Sequence, residues 1–178
     1  MFLIVGLGNP GKQYELTRHN LGARVLDLLA GGEKWETKYD SQIIKTDDVI
    51  LAKPQTFMNK SGEAVKEILK YYPAAQLVVI HDDLDFPLGS IKIQKDASAA
   101  GHHGVQSILD ELGTKDFIRI RLGIDHDSRG QVPGEDFVLQ KFSSDEKKIV
   151  LEVLTKTKDA IETLQTEGLE IAQSRFNG

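Results

Sequence analysis

The sequence contains no cysteine and no long apolar run, and each absence removes a class of function. Without cysteine among its 178 residues, the chain cannot form disulfides, use a thiolate nucleophile or bind a cysteine-ligated zinc or iron–sulfur centre. Apolar stretches such as Phe2–Val5 and Leu77–Ile80 are too short for a membrane helix or for the apolar core of a signal peptide. We therefore expect a cytoplasmic protein without a membrane anchor.

Basic residues are also in deficit. The chain has 22 Lys and Arg residues against 27 Asp and Glu residues, which gives a net charge of −5. This balance argues against a polycation that coats nucleic acid, although it permits a local basic patch. The length, together with 40% apolar residues, favours one compact domain over residues 1–178. Nothing in the pattern demands a partner chain, so we predict a monomer.

Short apolar segments alternate with amphipathic segments, and this alternation predicts an α/β fold. We expect a single-domain, mixed and mostly parallel β-sheet that is flanked by helices and followed by a long C-terminal helix. The predicted strands are Phe2–Val5, Lys38–Lys45, Val49–Lys53, Leu77–Ile80, Ile91–Gln94, Phe117–Ile124 and Phe137–Phe142. The predicted helices are 18–30, 61–72, 105–112, a long one from the capping box at Ser143 to about Gly168, and 169–176. Residues 125–136 are predicted to form a mobile loop.

A glycine-rich turn follows the first strand and matches the spacing of the dinucleotide-binding fingerprint. Its glycines are Gly6, Gly8 and Gly11. The fingerprint also needs an acidic residue about 20 positions further on, at the end of a second strand. Asp27 has this spacing but falls inside the predicted first helix, and Pro10 removes a backbone donor from the turn. We therefore interpret the glycines as a tight turn, which leaves dinucleotide binding as a weaker alternative.

The strand Leu77–Ile80 is followed by a dense group of polar residues. His81, Asp82, Asp83 and Asp85 stand within five positions, and buried carboxylates are costly unless they are used or solvated. A solvated turn is the simplest interpretation. Two functional interpretations also remain open. The acids could bind magnesium or manganese together with His81, or one carboxylate could orient a histidine general base.

His19 is the candidate base, because it lies just beyond the glycine turn near the start of the first helix. With no thiol and no serine in a G-x-S-x-G turn, water is the favoured nucleophile for a hydrolase. Asn9 at the tip of the turn and Asn59 before the second helix supply neutral amide groups near the ends of strands. His102 and His103 lead into the third helix, but adjacent side chains diverge and are unsuited to holding one shared ion.

Taken together and in this order, these clusters resemble bacterial peptidyl-tRNA hydrolases. The matching segments span the chain: Val5–Gly11 (VGLGNPG), Thr17–Gly22 (TRHNLG), Lys53–Gly62 (KPQTFMNKSG), Ile80–Asp85 (IHDDLD), Gly101–Gly104 and Phe117–Gly123 (FIRIRLG). The resemblance implies an esterase that hydrolyses the bond between a peptide and the 3′ ribose of tRNA and so recycles tRNA. It implies no cofactor and no metal.

The resemblance also implies roles for individual residues. The catalytic histidine of the family falls on His19, and its orienting aspartate falls on Asp82. Asn9 and Asn59 match the active-site asparagines that hold the peptide backbone and polarise the ester. Tyr14 and Met58 match residues of the substrate cleft, which His102 and His103 are expected to share. Lys92 and Arg121 fall where the family binds tRNA phosphates.

The sequence departs from the family pattern around the third helix. His103 stands where the family usually has asparagine, and an imidazole cannot both donate and accept as an amide does. Gln94 replaces a lysine that some relatives carry, which removes one possible phosphate contact. An alternative function therefore stays open: a tRNA- or RNA-binding protein of the same fold with weakened catalysis.

Overall fold

A computed structural model describes all 178 residues. The strands are β1 (Phe2–Gly6), β2 (Glu36–Lys38), β3 (Ser41–Lys45), β4 (Val49–Pro54), β5 (Gln76–Pro87), β6 (Ile91–Lys95) and β7 (Ile118–Asp125). The helices are α1 (Leu21–Ala30), α2 (Ser61–Tyr71), α3 (His103–Leu112), α4 (Gly134–Phe137), α5 (Ser144–Glu167) and α6 (Leu169–Phe176). No helix combines the length and the apolar character that crossing a membrane requires.

The strands form one mixed sheet in the order β2-β3-β4-β1-β5-β7-β6. The four central strands, β4, β1, β5 and β7, are parallel to one another, whereas β2, β3 and β6 pair antiparallel at the two edges. Parallel strands covered on both faces are expected to be apolar throughout, and β1 is buried along nearly its whole length. The mixed, mostly parallel α/β prediction with a long C-terminal helix is confirmed.

Helices cover both faces of the sheet and divide the core into two layers. One layer lies under α1, α5 and α6 and includes Leu21, Val25, Leu26, Val150, Val153, Ile161, Leu164 and Ala172. The other lies under α2 and α3 and includes Met58, Val65, Ile68, Val105 and Ile108. Both layers leave the carboxyl ends of the parallel strands open, which is where α/β proteins place their sites.

Several predicted boundaries were wrong. The segment Lys38–Lys45 is not one strand, because Tyr39 and Asp40 both have positive φ and form the turn between β2 and β3. Phe137–Phe142 is not a strand either. Its first residue ends α4, and the segment makes an isolated bridge between Thr17 and Lys141. The predicted first helix begins only at Leu21, after a 3₁₀ turn.

The largest difference concerns β5, which continues seven residues beyond the predicted end at Ile80 and reaches Pro87. His81, Asp82 and Asp83 are therefore buried strand residues and not a solvated turn. Burial at this position demands partners for each polar group.

Candidate active site

The site is centred on a buried pair formed by His19 and Asp82. His19 Nδ1 lies 2.9 Å from Asp82 Oδ1 and 3.0 Å from Oδ2. Since the carboxylate only accepts hydrogen bonds, this contact places the ring proton on Nδ1 and leaves the lone pair on Nε2. Nε2 makes no hydrogen bond within the protein and is not sealed from solvent. The ring is therefore set up to accept a proton from a bound molecule.

Close contacts between main chains bring these two residues together. The Leu7 N–H, just after β1, donates to the Ile80 carbonyl (3.0 Å), and the Ala23 N–H of α1 donates to the Leu7 carbonyl (3.1 Å). Gly22 allows α1 to approach this closely, because a Cβ there would lie 2.2 Å from the Ile80 carbonyl oxygen. The start of α1, with His19 just before it, is thus fixed against the strand that carries Asp82.

Electrostatics favours the charged form of both members of the pair. Burial is the largest influence on His19 and lowers its pKa, but the charge of Asp82 and the hydrogen bond to it outweigh burial and raise the pKa of His19 above 6.5. Burial likewise acts to raise the pKa of Asp82, but His19 and His102 hold that pKa well below its usual range. Asp82 is therefore a carboxylate at all physiological pH values, and His19 is a stronger base than free histidine.

His102 is the second donor to the same carboxylate. Its Nε2 lies 3.0 Å from Asp82 Oδ1, while its Nδ1 accepts from the N–H groups of Gly104 (3.1 Å) and Val105 (3.3 Å) at the start of α3. The ring thus caps a helix with one nitrogen and holds Asp82 with the other, a combination that fixes its neutral Nε2–H tautomer. Both ring nitrogens are occupied, so only the ring surface is open to a substrate.

His19, Asp82 and His102 each offer one possible metal-ligand atom, and these atoms lie within 4.8 Å of one another. This spacing is close enough for the three residues to share a metal ion. A metal on His102 Nε2 would require the ring proton to move to Nδ1, where two N–H donors already point. The helix cap would then be lost. The donor chemistry therefore favours the hydrogen-bonded arrangement over a metal site.

His81 supports the pair from inside the sheet. It is fully buried, and its Nδ1 donates to the main-chain oxygen of Asp82 over 2.7 Å. Its ring meets that of His102 at a centroid distance of 4.7 Å. Burial, followed by His102 and Arg119, lowers the pKa of His81 far below that of free histidine. His81 is therefore neutral, and it is not part of the group formed by His19, Asp82 and His102 whose possible ligand atoms lie within 4.8 Å of one another.

Arg18, next to His19 in the sequence, connects this segment to the start of α5. Its guanidinium forms a buried two-point contact with Glu146, the residue that completes the capping box of α5, at 2.8 and 3.0 Å. The same guanidinium lies over the ring of Phe137 at 4.0 Å. The N–H groups of Arg18 and His19 donate to carbonyls at Gln140 and Val138. The sequence identified the capping box but not this contact across the chain.

Replacing Glu146 with glutamine is expected to destabilise the fold by about 3–5 kcal/mol, because Arg18 would become a buried charge without a counter-charge. Burial acts to raise the pKa of Glu146, but the hydrogen bonds from Arg18 and Ser143 lower it to about 2. A lowered carboxyl pKa stabilises the fold above the ordinary value of 4.5, and this contribution is lost as the pH falls from there towards 2. Urea unfolding at pH 7 and at pH 3 should therefore show a smaller difference between wild type and variant at pH 3.

The exposed pair of Glu167 and Arg175 is a matched control, since it has the same two-point geometry at 2.7 and 3.1 Å. Glu167→Gln should lower the free energy of unfolding far less than Glu146→Gln does, because Glu167 and Arg175 are both solvated. Equal losses at the two positions would contradict the role of burial.

Asn9 is held so that its amide N–H groups are free. Its side-chain oxygen accepts from the Met58 N–H (2.8 Å), and its main chain is clamped by two hydrogen bonds to the side chain of Asn20. Asn59 lies in the following 3₁₀ turn and is exposed. Met58 is buried, and a Cβ on Gly104 would lie 2.5 Å from its sulfur. Asn20 was missed as a site residue, although it adjoins His19 in the sequence.

A cavity of about 130 Å³ opens beside the pair and is lined by His19, Asp82, Leu84, His102, His103 and Val138, among others. Asn9 lines a second cavity, of about 390 Å³, which has no lining residue in common with the first. Tyr14, half-buried in the turn before His19, lines neither cavity. The structure thus brings His19, Asp82, His102 and His103 around one cavity, whereas Asn9 lines the second.

The two predicted phosphate ligands lie opposite each other on neighbouring antiparallel strands, Lys92 on β6 and Arg121 on β7. Arg121 is buried, and its Nε donates to Asp83 over 2.7 Å while Nη1 donates to Gln94 over 2.5 Å. Lys92 is half-buried and forms no ion pair. Gln94 therefore orients the arginine instead of offering a charge of its own.

The glycine turn does not lead into a helix. Nine residues separate Gly11 from Leu21, where α1 begins, so the turn does not run directly into the helix as the dinucleotide-binding fingerprint requires. An imidazole held by a buried carboxylate, with its other nitrogen free beside a cavity, is instead an arrangement that hydrolases use to activate a hydroxyl group or water. The mixed α/β fold and this geometry are those expected of a hydrolase that uses a histidine as general base.

Comparison with known proteins identifies the family. The family model for peptidyl-tRNA hydrolase matches residues 3–178. Peptidyl-tRNA hydrolase of Thermodesulfovibrio yellowstonii is 44% identical, and that of Chloroflexus aggregans is 41% identical, each covering 99% of both chains. The crystal structure of peptidyl-tRNA hydrolase from Acinetobacter baumannii superposes with a TM-score of 0.87 at 29% identity, over 99% of this chain and 96% of that one. The chain belongs to the peptidyl-tRNA hydrolase family.

Proposed function

We propose that this enzyme hydrolyses the ester between the peptide and the 3′ ribose of tRNA in peptidyl-tRNA, with water activated by His19. The observation that carries the proposal is the His19–Asp82 pair, whose geometry leaves Nε2 free as a base. Family membership supports the substrate. The products are a free peptide and a reusable tRNA.

The reaction follows from the protonation states of the pair. Nε2 of His19 takes a proton from water as the water oxygen bonds to the ester carbonyl carbon, and Asp82 stabilises the imidazolium that results. The tetrahedral intermediate then expels the 3′ oxygen of the ribose, which receives the proton back from His19. The proton taken from water is returned to the leaving oxygen, so His19 ends the reaction in its starting protonation state.

The asparagines supply the neutral donors for the negative charge that develops on the ester oxygen. Asn9 suits this role because Met58 fixes its oxygen and thereby aims its N–H₂ group. Asn59 would act from the exposed turn beside it. One donor of this kind is typically worth about 100- to 1,000-fold in rate. Tyr14, Met58, His102 and His103 are assigned to the walls of the cleft, with His102 contributing ring surface only.

Lys92 and Arg121 are assigned to tRNA phosphates. Phosphate contacts contribute affinity without reading sequence, which suits an enzyme that accepts many tRNAs. The acidic net charge is compatible with this because only a few placed cations are needed. We further propose that the chain acts as a single domain and a monomer in the cytoplasm, where peptidyl-tRNA is formed.

Hydrolysis of purified peptidyl-tRNA in the presence of excess EDTA tests this function. We expect full activity, because the proposed base and the proposed donors to the ester oxygen are all side chains of the protein. Activity that stops with EDTA and returns with magnesium would support a metal site instead. Tight tRNA binding without ester cleavage would support the weakened RNA-binding alternative, which the family comparison does not favour.

Removing a phosphate contact should change the salt dependence of binding. Lys92→Ala and Arg121→Ala are each expected to raise KM and to reduce the slope of log KM against log salt by about one. Lys92 is the cleaner test, since removing Arg121 also leaves the buried Asp83 without its partner. Arg175→Ala, which removes an exposed arginine from the C-terminal helices, is the control. An unaltered slope in Lys92→Ala would remove that residue from the tRNA contact.

A further inference from the structure

Phe86 lies against both proposed phosphate ligands. It is half-buried near the end of β5, within the irregular stretch between Asp83 and Pro87. Arg121 Cζ lies 4.6 Å and Lys92 Nζ 5.4 Å from the centre of its ring. Both distances fall within the roughly 6 Å over which an aromatic ring attracts a cation. One ring thus meets two cations from two neighbouring strands.

The pairing of β6 with β7 places Lys92 opposite Arg121, and the repulsion between the two charges is unfavourable when no ligand is bound. Lys92 and Arg121 are direct cross-strand partners and share a face of the sheet, and like charges placed opposite each other are destabilising. Asp83 and Asp85 offset the charge of Arg121, with contacts of 2.7 and 3.8 Å. No carboxylate offsets the charge of Lys92. A cation pair kept under these conditions is suited to binding an anion.

The two cations are held in different ways. Arg121 is fixed by Asp83 and Gln94, with distances of 2.7 and 2.5 Å, so it would keep its place without the ring. The ammonium group of Lys92 forms no hydrogen bond to another residue, and the ring of Phe86 is its specific contact. A lysine side chain loses rotamer entropy when it is immobilised, so a contact that already orients it favours binding.

We propose that Phe86 is a positioning residue for tRNA, which holds the Lys92 ammonium on the face of the sheet that also carries Arg121, so that both cations can contact phosphate. This proposal rests on the phosphate role given to the two cations above and adds the residue that organises them. It also explains why an aromatic residue, and not merely an apolar one, occupies this partly exposed place.

The test compares Phe86→Leu with Phe86→Tyr. Leucine fills much of the same space but has no aromatic face, so KM for peptidyl-tRNA should rise about two- to five-fold, while tyrosine should stay near wild type. The loss in kcat/KM should be larger for peptidyl-tRNA than for a peptidyl ester of adenosine, which lacks the remote phosphates. A merely structural role would give equal losses on both substrates and would overturn the proposal.

A double-mutant cycle with Lys92→Ala completes the test. If Phe86 acts through Lys92, Phe86→Leu should add little to the KM of the Lys92→Ala variant, whereas additive effects would contradict the proposal. A Lys92→Ala variant with wild-type KM would refute the phosphate role itself. A raised KM in Lys92→Ala with an unaltered KM in Phe86→Leu would refute the role of Phe86 alone.

Discussion

His19→Ala is expected to reduce kcat for peptidyl-tRNA hydrolysis by about 10²- to 10⁴-fold, the usual contribution of a positioned general base. The variant loses the Nε2 atom that accepts the proton of water and leaves the buried Asp82 with one donor, His102. Substrate binding should persist, because the cations on β6 and β7 and the asparagines are untouched. The measurement is single-turnover hydrolysis of purified peptidyl-tRNA, which separates chemistry from product release.

The matched control for this variant is His126→Ala. His126 is partly exposed, lies beyond β7 and does not line the cavity that contains His19. The hydrolysis rate of His126→Ala should stay near that of wild type. Far-UV circular dichroism of both variants checks that the fold is retained. Hydrolysis by His19→Ala at close to the wild-type rate would remove His19 from the role of base.

Asp82→Asn is expected to lower the rate by up to about 10⁴-fold, as the equivalent change does in a Ser-His-Asp triad. The carboxylate accepts from both His19 Nδ1 and His102 Nε2, whereas an amide has a single oxygen. If that oxygen accepts from His102, whose tautomer is fixed, the amide N–H₂ group faces His19. The ring of His19 must then present its lone pair at Nδ1, which places the proton on Nε2 and abolishes the base.

Loss of the Asp82 charge should also lower the pKa of His19, because that charge and its hydrogen bond are what outweigh burial. The residual activity of Asp82→Asn should therefore decline at a lower pH than that of wild type. Asp125→Asn, at the exposed end of β7, is the control. A rate within a few-fold of wild type would show that Asp82 does not orient the base.

The layered α/β architecture was predictable, because the apolar runs and helical stripes mark most elements of the core. The extension of β5 was not. Its apolar pattern stops at Ile80, and the strand continues through His81, Asp82 and Asp83 only because other elements supply partners for them. These partners are distant in sequence and leave no local pattern. A buried strand of polar residues therefore has the same local sequence features as a solvent-exposed turn.

The segment Phe137–Phe142 shows the opposite error. Its two aromatic residues are buried, but they pack around the guanidinium of Arg18 at 4.0 and 4.7 Å. Burial in this case comes from a short helix and a turn, and not from a strand. The ion pair between Arg18 and Glu146 helps to hold the guanidinium against these rings. It joins residues 128 positions apart, so no local periodicity in the sequence indicates it.

For the candidate site, the sequence and the resemblance supplied the residues, and the structure supplied their relations. The pairing of His19 with Asp82 across 63 positions was an expectation, and the structure shows its geometry. The roles of His102 as helix cap and of Asn20 as clamp for Asn9 were not foreseen. Both depend on where a helix begins, which patterns locate least well.

The pH dependence of kcat/KM for wild-type hydrolysis of peptidyl-tRNA tests the central claim most directly. A base must be unprotonated to act, and the pKa of His19 is raised above 6.5 by Asp82. We therefore expect kcat/KM to fall tenfold per pH unit on the acid side, through one ionisation above 6.5 that belongs to the free enzyme. A profile that stays flat down to pH 6 would contradict the claim that His19, held by Asp82, activates the water.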